Sequence, residues 1–298
     1  MSSTCARTSR NDVVIIVKHD NEVSLALRDP TAIFNHIKNQ HMTKRIARFK
    51  TKVSQGRILN TSGIDYQISN HYLNKTELGD NLVKFILKCR LQLLECNSLL
   101  NLYYPQAYQN ACPLCNNQSD TVSHILNGCM DFRNMHIRRH DRIVNHIHQE
   151  ITRHQPNLTV YNNCIVTANM FSSESHGLYQ NIQHNKPDLL IIDDHNKKVY
   201  VVEVSVPFDD FMDRCYQTKF DYYQPLSELI TVDTDYTCKV VVLIVGSTGC
   251  VHKKVVTGLK MLGFRTFRGK AVAKYISISA AIGSNIIWQM RVRAVKAN

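Results

Sequence analysis

The 298-residue chain has few of the features that mark specialised classes of protein. It contains only eleven glycines and seven prolines, which excludes a collagenous or low-complexity chain. Its longest purely apolar run, Val240–Val245, is far shorter than the roughly 18 residues of a membrane span, and its polar start lacks the apolar core of a signal peptide. Ten unevenly spaced cysteines favour free thiols or metal ligands over a disulfide scaffold. We therefore expect a soluble, non-secreted globular protein.

Charge is unevenly distributed along the chain, with 36 Lys and Arg against 24 Asp and Glu. Seven basic residues and no acid lie between Pro30 and Ile64, and ten basic residues and no acid lie between Val251 and Asn298. Eleven of the acids lie between Lys186 and Cys250. Two basic ends around an acidic middle favour a polyanionic partner, held near a site that itself needs carboxylates.

Hydrophobic periodicity divides the chain into helices followed by alternating strands and helices. Helical spacing is predicted for a first group of segments, namely Thr31–Arg57, Asn81–Leu102, Asp131–Arg153, 209–229, 251–262 and the C-terminus from Ala271. Short apolar or β-branched runs predict strands at Leu189–Ile192, Val199–Val206 and Lys239–Val245. This order predicts an α/β domain over residues 131–298, preceded by a helix with a Cys/His motif at 81–130 and a basic, mainly helical region at 1–80.

Four potential metal ligands fall within 18 residues, in the pattern Cys112-x2-Cys115-x8-His124-x4-Cys129. Two cysteines separated by two residues form the tight turn that presents both sulfurs to one ion, and zinc prefers four sulfur or nitrogen ligands. The segment is therefore predicted to be a zinc knuckle, whose four ligands leave no open position and make the site structural. Such knuckles commonly contact nucleic acid.

Two acids are predicted to face each other across a hairpin. A turn at His195-Asn196 places Asp188 directly opposite Glu203, and opposed residues on one face have Cβ atoms about 4.5 to 5.5 Å apart. Two carboxylates at that separation repel each other unless a cation lies between them, and oxygen ligands favour Mg²⁺ or Mn²⁺. A lysine would complete a hydrolytic site, but the simplest position for it is Ser205, so that Lys219 on the following helix becomes the candidate.

These motifs, taken in order, resemble the C-terminal region of site-specific non-LTR retrotransposon polyproteins. The matching series runs over roughly residues 81–223: a CCHC knuckle, Arg139-His140-Asp141, Lys186-Pro187-Asp188, a strand with an acid, and a displaced lysine followed by tyrosines. The resemblance implies a restriction-like endonuclease of the PD-(D/E)xK fold, preceded by a helical linker and a CCHC zinc knuckle.

The resemblance also implies roles for individual residues. Asp188 and Glu203 would bind Mg²⁺ or Mn²⁺, and Lys219 would stabilise charge on the scissile phosphate. Tyr222 or Tyr223 would correspond to the family's tyrosine near that lysine, and Tyr223 is the predicted catalytic one. Three residues are predicted to contact nucleic acid or to support the site, namely Arg139, His140 and Lys186.

The implied function is nicking of target DNA in the nucleus for retrotransposon integration, with a DNA duplex and element RNA as partners and no membrane. The sequence has no aromatic-x-Asp-Asp turn in a polymerase context, so we expect a C-terminal fragment without reverse transcriptase activity. Two alternatives stay open: a catalytically inactive nucleic-acid-binding protein derived from the same region, and a zinc-stabilised interaction module with no nucleic-acid role.

Overall fold

The computed structural model describes residues 4–7, 13–19, 22–27, 30–74 and 78–297. The chain divides into two compact units, residues 1–57 and 58–298. The division does not fall at residue 80 or 130, where the sequence suggested boundaries, because the Cys/His motif shares a hydrophobic core with the rest of the second unit.

The described residues of the first unit form an antiparallel sheet and one long helix. Its strands are β1 (Thr4–Arg7), β2 (Val13–His19) and β3 (Glu22–Leu27), paired in that order. Helix α1 (Pro30–Lys50) follows and carries most of the predicted basic stretch, whose seven Lys and Arg side chains are all exposed. The helix confirms the predicted helical segment, but the sheet corrects the expectation of a mainly helical N-terminal region. Runs such as VVIIVKH are short and β-branched, which favours strands.

The second unit contains ten α-helices and four strands among its described residues. The helices are α2 (Arg57–Asn60, which begins at the last residue of the first unit), α3 (Tyr66–Ser69), α4 (Asp80–Arg90), α5 (Asn97–Tyr103), α6 (Val122–Asn127), α7 (Arg133–His154), α8 (His176–Gln180), α9 (Met212–Asp233), α10 (Lys254–Met261) and α11 (Thr266–Ala297). The strands are β4 (Thr159–Asn162), β5 (Leu189–Asp193), β6 (Lys198–Ser205) and β7 (Thr237–Ile244). In the part of the chain that is described, no helix is both long enough and apolar enough to cross a membrane.

The four strands of the second unit form one mixed sheet in the order β4-β5-β6-β7. The first three strands are antiparallel, and β7 runs parallel to β6 after the connection through α9. From α7 to β7 the chain therefore follows the order helix, three antiparallel strands, helix, parallel strand, with the short helix α8 between β4 and β5. This arrangement confirms the predicted α/β class. The strand β4 was missed by the sequence analysis because it is only four residues long.

Helices cover both faces of this sheet. Alternate residues of each strand point to opposite faces, so β-branched runs that are buried throughout supply both cores. On one face, residues such as Leu189, Val202 and Leu243 pack against α7, α10 and α11. On the other face, residues such as Leu190 and Val201 pack against α9. Asp188 and Glu203 have the parity of the second set; Glu203 contacts α9, whereas Asp188 lies at the end of the sheet and is reached by His140 of α7.

The predicted helix at Asn81–Leu102 is two helices, α4 and α5. The first ends at Arg90, and Gln92 takes a positive φ of 55° in the turn that follows. The turn carries Leu94 and Cys96 into the core around the Cys/His motif, where both side chains are buried. Apolar spacing continues through the turn, so periodicity alone did not reveal the break.

Candidate functional site

The hairpin of β5 and β6 has the register that the sequence predicted. Leu189 pairs with Val202, and Asp188 and Glu203 continue that register by one step beyond the last paired residues. The turn is stabilised by Asp193, whose Oδ1 accepts a hydrogen bond from the backbone N–H of Asn196 at 3.0 Å. A short polar turn thus brings two acids that are fifteen positions apart in the chain to one end of the sheet.

Glu203 is a buried acid in an apolar strand, with 5% of its surface exposed. Burial, followed by the nearby charge of Asp188, raises its pKa. Lys219 of α9 lies opposite it, with Nζ 2.6 Å from Glu203 Oε1. Burial lowers the pKa of Lys219, but the carboxylate of Glu203 outweighs burial and the pKa is raised overall. The lysine therefore reaches the acid from the neighbouring helix, although Ser205 occupies the strand position two residues after Glu203.

Asp188 is held by two groups from other elements. Its Oδ2 accepts a hydrogen bond from the backbone N–H of Val204 at 2.7 Å and lies 3.3 Å from Nε2 of His140. The same imidazole nitrogen lies 3.0 Å from the Val204 carbonyl oxygen. Burial lowers the pKa of His140, but the hydrogen bond and charge of Asp188, together with the contacts to Asp141 and the Val204 carbonyl, outweigh burial and raise the pKa to about 9. His140 therefore carries a positive charge at neutral pH and joins α7 to the acid pair.

Tyr223, rather than Tyr222, lies at this site. The Tyr223 hydroxyl donates a hydrogen bond to the backbone carbonyl oxygen of Lys186 at 3.0 Å and also lies beside Glu203. Burial and then the charge of Glu203 raise the pKa of Tyr223, so its hydroxyl keeps its proton. Tyr222 is 43% exposed and stacks on His184, with ring centroids 4.2 Å apart. The Lys186 side chain is exposed.

The side chains of Arg139 and His140, although adjacent in helix α7, have different surroundings. The Arg139 side chain is only 5% exposed, and its guanidinium donates hydrogen bonds to Ser284 Oγ at 2.7 Å and to the Val206 carbonyl oxygen at 3.4 Å. Burial lowers the pKa of Arg139 to about 10. Of the two roles considered for this residue, support of the site fits this position. Contact with a phosphate does not, because the guanidinium faces the interior.

The predicted metal ligands Cys112, Cys115, His124 and Cys129 form one cluster. Their ligand atoms all lie within 4.8 Å of one another, so the cluster could bind a metal ion such as zinc. Cys115 Sγ lies 3.3 Å from His124 Nε2, and Cys112 Sγ lies 4.0 Å from Cys129 Sγ. A Cys₃His set at this spacing matches the donor chemistry of structural zinc sites.

The orientation and the lowered pKa of His124 suit a metal ligand. Its Nδ1 lies 2.9 Å from Gln118 Oε1, which leaves Nε2 directed towards the sulfur of Cys115. Burial lowers the pKa of His124, and a neutral imidazole is the form that binds a metal ion. A partner that orients the second ring nitrogen is a regular feature of metal-binding histidines. The residues present therefore fit zinc.

Several residues around the two sites were not identified from the sequence. Ser284 and Arg291 lie on α11. Ser284 supports Arg139, and Arg291 supports the buried Asp120, which lies in the segment that carries the Cys/His cluster. Asn162 and Asn163 line the cleft beside Asp188. The Asn162-Asn163 pair follows a short β-branched run, a pattern that could have predicted a turn at Asn163, whose φ is 51°. No local pattern pointed to the α11 residues.

No protein-family model matches the chain, and no curated protein matches it. The function is therefore inferred from the fold and from the chemistry of the two clusters.

Proposed function

We propose that the protein is a metal-dependent DNA endonuclease with a PD-(D/E)xK core and a zinc knuckle. The observation that carries this proposal is the convergence of Asp188, Glu203 and Lys219 at one end of the sheet. Two acids on adjacent strands and a lysine within hydrogen-bonding distance of one of them are the groups that such an enzyme requires. The lysine comes from a helix, as the resemblance to the retrotransposon endonucleases implies.

The topology supports the same proposal. The proposed PD-(D/E)xK core would consist of helix α7, three antiparallel strands, helix α9 and a strand parallel to β6, with the short helix α8 inserted between β4 and β5. Asp188 lies just before β5 and Glu203 lies within β6. Fold similarity alone does not define activity, so the acids and the lysine carry the argument.

The residues at this end of the sheet fit a divalent cation. Asp188 and Glu203 offer carboxylate oxygens, the donors that Mg²⁺ and Mn²⁺ prefer. The charge of Asp188 contributes to raising the pKa of Glu203, so a cation between them would relieve an existing repulsion. When bound, the cation would lower the pKa of a water molecule and polarise a phosphodiester.

The side chains around the acids have separate tasks. Lys219 keeps its proton and can neutralise charge that develops on a phosphate oxygen. His140 and the Val204 N–H hold Asp188 in place. Tyr223 keeps its proton and contacts the Lys186 backbone, which fixes the segment that precedes Asp188. Lys186 and the exposed basic residues of α1 would bind the phosphate backbone regardless of base sequence.

In this proposal the substrate is a nuclear target DNA, and the nick would supply the 3′-hydroxyl that primes reverse transcription of element RNA. The chain would be the endonuclease portion of a non-LTR retrotransposon polyprotein. The zinc knuckle would be a structural element that also contacts nucleic acid.

The test is nicking of supercoiled plasmid by zinc-loaded protein with added Mg²⁺ or Mn²⁺. We expect the wild type to convert plasmid to the open circle, and Asp188→Asn and Lys219→Met to fail. Lys198→Gln removes an exposed charge from the opposite end of β6 and should leave nicking unchanged. Omission of the added cation is the preferred control, because a chelator would also strip the knuckle. Absence of nicking by the wild type with either cation would refute the enzymatic proposal.

A second candidate is a nucleic-acid-binding protein without catalysis. The exposed basic side chains of α1 favour it, because their charge does not depend on the acid pair. This candidate predicts plasmid binding that weakens steeply with salt, together with no nicking under either cation.

A further inference from the structure

A groove extends from Asp188 along the exposed side of α7. Two open clefts, of about 410 Å³ and 350 Å³, share Asp141 and Asn145 as wall residues. The smaller cleft includes Asp188 among its walls. The larger cleft is bounded by α7 and by Tyr275 of α11. Because the clefts have two wall residues in common, they adjoin each other, and the two together are the groove, whose inner end is at Asp188.

Two cations line the outer part of this groove. Arg138 and Arg142 lie four residues apart on α7 and therefore on one face of the helix. Both are exposed, and neither forms an ion pair with an acid among the described residues. The acids in the walls, Asp141 and Asp188, are both hydrogen-bonded to His140. The outer groove thus offers unpaired positive charge.

An aromatic ring lies beside these cations. The ring of Tyr275 packs on His146, with centroids 3.6 Å apart and planes inclined by 25°. Tyr275 is nevertheless 48% exposed, so part of its surface is open to a second planar group. Arginines that bind phosphates next to an aromatic ring that stacks on bases are the pattern of proteins that hold single-stranded nucleic acid.

We propose that this groove binds one unpaired nucleic-acid strand and directs it towards Asp188. Arg138 and Arg142 would contact its phosphates, and one base would stack on Tyr275. The strand is single because the faces of a base inside a duplex are covered by its neighbours in the stack. This inference rests on the proposed nuclease function, since the strand in the groove is the one that would be cut.

The test is binding of fluorescein-labelled oligonucleotides, measured by fluorescence anisotropy on zinc-loaded protein without added Mg²⁺ or Mn²⁺. Arg138→Gln/Arg142→Gln should weaken binding and reduce the salt dependence, d log K/d log [salt], by about 1.4 for a single strand. Tyr275→Ala should weaken single-strand binding at least about fivefold, while Tyr275→Phe retains the stacking ring and should bind like the wild type. Lys198→Gln/Lys239→Gln removes the same charge from the opposite end of the sheet and serves as the matched control.

Three results would overturn the proposal. The first is a loss of binding in the arginine variant that is no larger than in the lysine control. The second is binding by Tyr275→Ala that equals that of the wild type. The third is the same dependence on Tyr275 for a fully paired duplex. Single-stranded DNA and RNA probes both test the groove, and stronger binding of one identifies the source of the strand.

Failure of this inference is distinguishable from failure of the proposed function. Binding that depends on Arg138, Arg142 and Tyr275, in a protein that never nicks plasmid, would support the groove and refute the nuclease. Nicking by the wild type, with groove variants that bind normally, would support the nuclease and refute the groove. Because all three side chains are exposed, thermal melting curves of the variants should match that of the wild type.

Discussion

The ammonium group of Lys219 lies 2.6 Å from the Oε1 of Glu203, although the two residues are sixteen positions apart and belong to a helix and a strand. Glu203 is almost fully buried, whereas about a third of the Lys219 side chain is exposed. The pair therefore joins an acid that has lost most of its hydration to a cation that still reaches solvent.

This pair predicts a specific pattern of stability. Lys219→Met should lower the free energy of unfolding by about 1–3 kcal/mol, because it leaves a buried carboxylate without its cation, and the partial exposure of the lysine moderates the loss. Glu203→Gln should lower the free energy of unfolding less than Lys219→Met does, because it also removes the repulsion between Glu203 and Asp188. Urea denaturation of both single variants and the double variant gives the coupling energy.

The control for this cycle is Lys197→Met. Lys197 Nζ lies 2.9 Å from Asp235 Oδ2, but both side chains are largely exposed, so little change is expected. Additive effects of the Lys219 and Glu203 substitutions would contradict the contact.

The Cys/His cluster predicts one tightly bound zinc per chain. Cys112→Ser and Cys129→Ser should lose the metal, and the free energy of unfolding should fall by at least about 3 kcal/mol, because the binding energy of a structural zinc is folding energy. Cys164→Ser, which lies outside the cluster, should retain both metal and stability. Metal analysis and urea denaturation measure the two quantities, and a metal-free wild type of full stability would refute the site.

The ion pair between Arg291 and Asp120 links helix α11 to the segment that carries the Cys/His cluster. Both side chains are buried, and Asp120 also accepts a hydrogen bond from the Asn97 backbone N–H at 2.7 Å. Arg291→Met should destabilise the protein by about 3–5 kcal/mol, since it leaves a buried carboxylate without its cation. The double variant Arg291→Met/Asp120→Asn should recover part of the stability lost in Arg291→Met.

Arg293→Met removes an exposed arginine two positions further along α11 and should have little effect on stability. Urea denaturation of these variants tests the link. Equal effects of Arg291→Met and Arg293→Met would contradict it.

His136 predicts a pH dependence of stability. Burial lowers its pKa to about 4, although its Nε2 lies 3.2 Å from the Ile125 carbonyl oxygen. The unfolded chain binds a proton near pH 6.5, whereas the folded chain does not until about pH 4. The stabilisation that His136 contributes is therefore fully present above about pH 6.5 and is lost as the pH falls towards 4. The free energy of unfolding should fall by about 1–2 kcal/mol over this range, after allowance for solvent screening.

The comparison of wild type with His136→Gln isolates this contribution. Free energies of unfolding measured across that pH range should fall less steeply for the variant. His195→Gln, in the exposed hairpin turn, should follow the wild-type curve. Parallel curves for wild type and His136→Gln would contradict the prediction.

Local sequence patterns were sufficient to predict much of the structure of the second unit. The β-branched runs around Asp193-Asp194-His195-Asn196-Lys197 predicted the hairpin and its register, because a side-chain period of two and a short polar turn leave little freedom in pairing. The spacing of the cysteines and His124 predicted the cluster, since its ligands are close in sequence. The helical spacing of α7 and α9 was also evident, because one face of each is apolar.

Only the tertiary structure decided the contacts between distant segments. The sequence placed Arg139 and His140 side by side, but the packing of α7 against β6 and α11 buries the first and turns the second towards Asp188. The choice of Tyr223 over Tyr222 depended on which face of α9 covers the sheet. The break between α4 and α5 depended on a core that accepts Leu94. The sequence by itself determined the hairpin, the ligand set and most of the longer helices and strands of the second unit. Their partners were decided by long-range packing, which local periodicity does not encode.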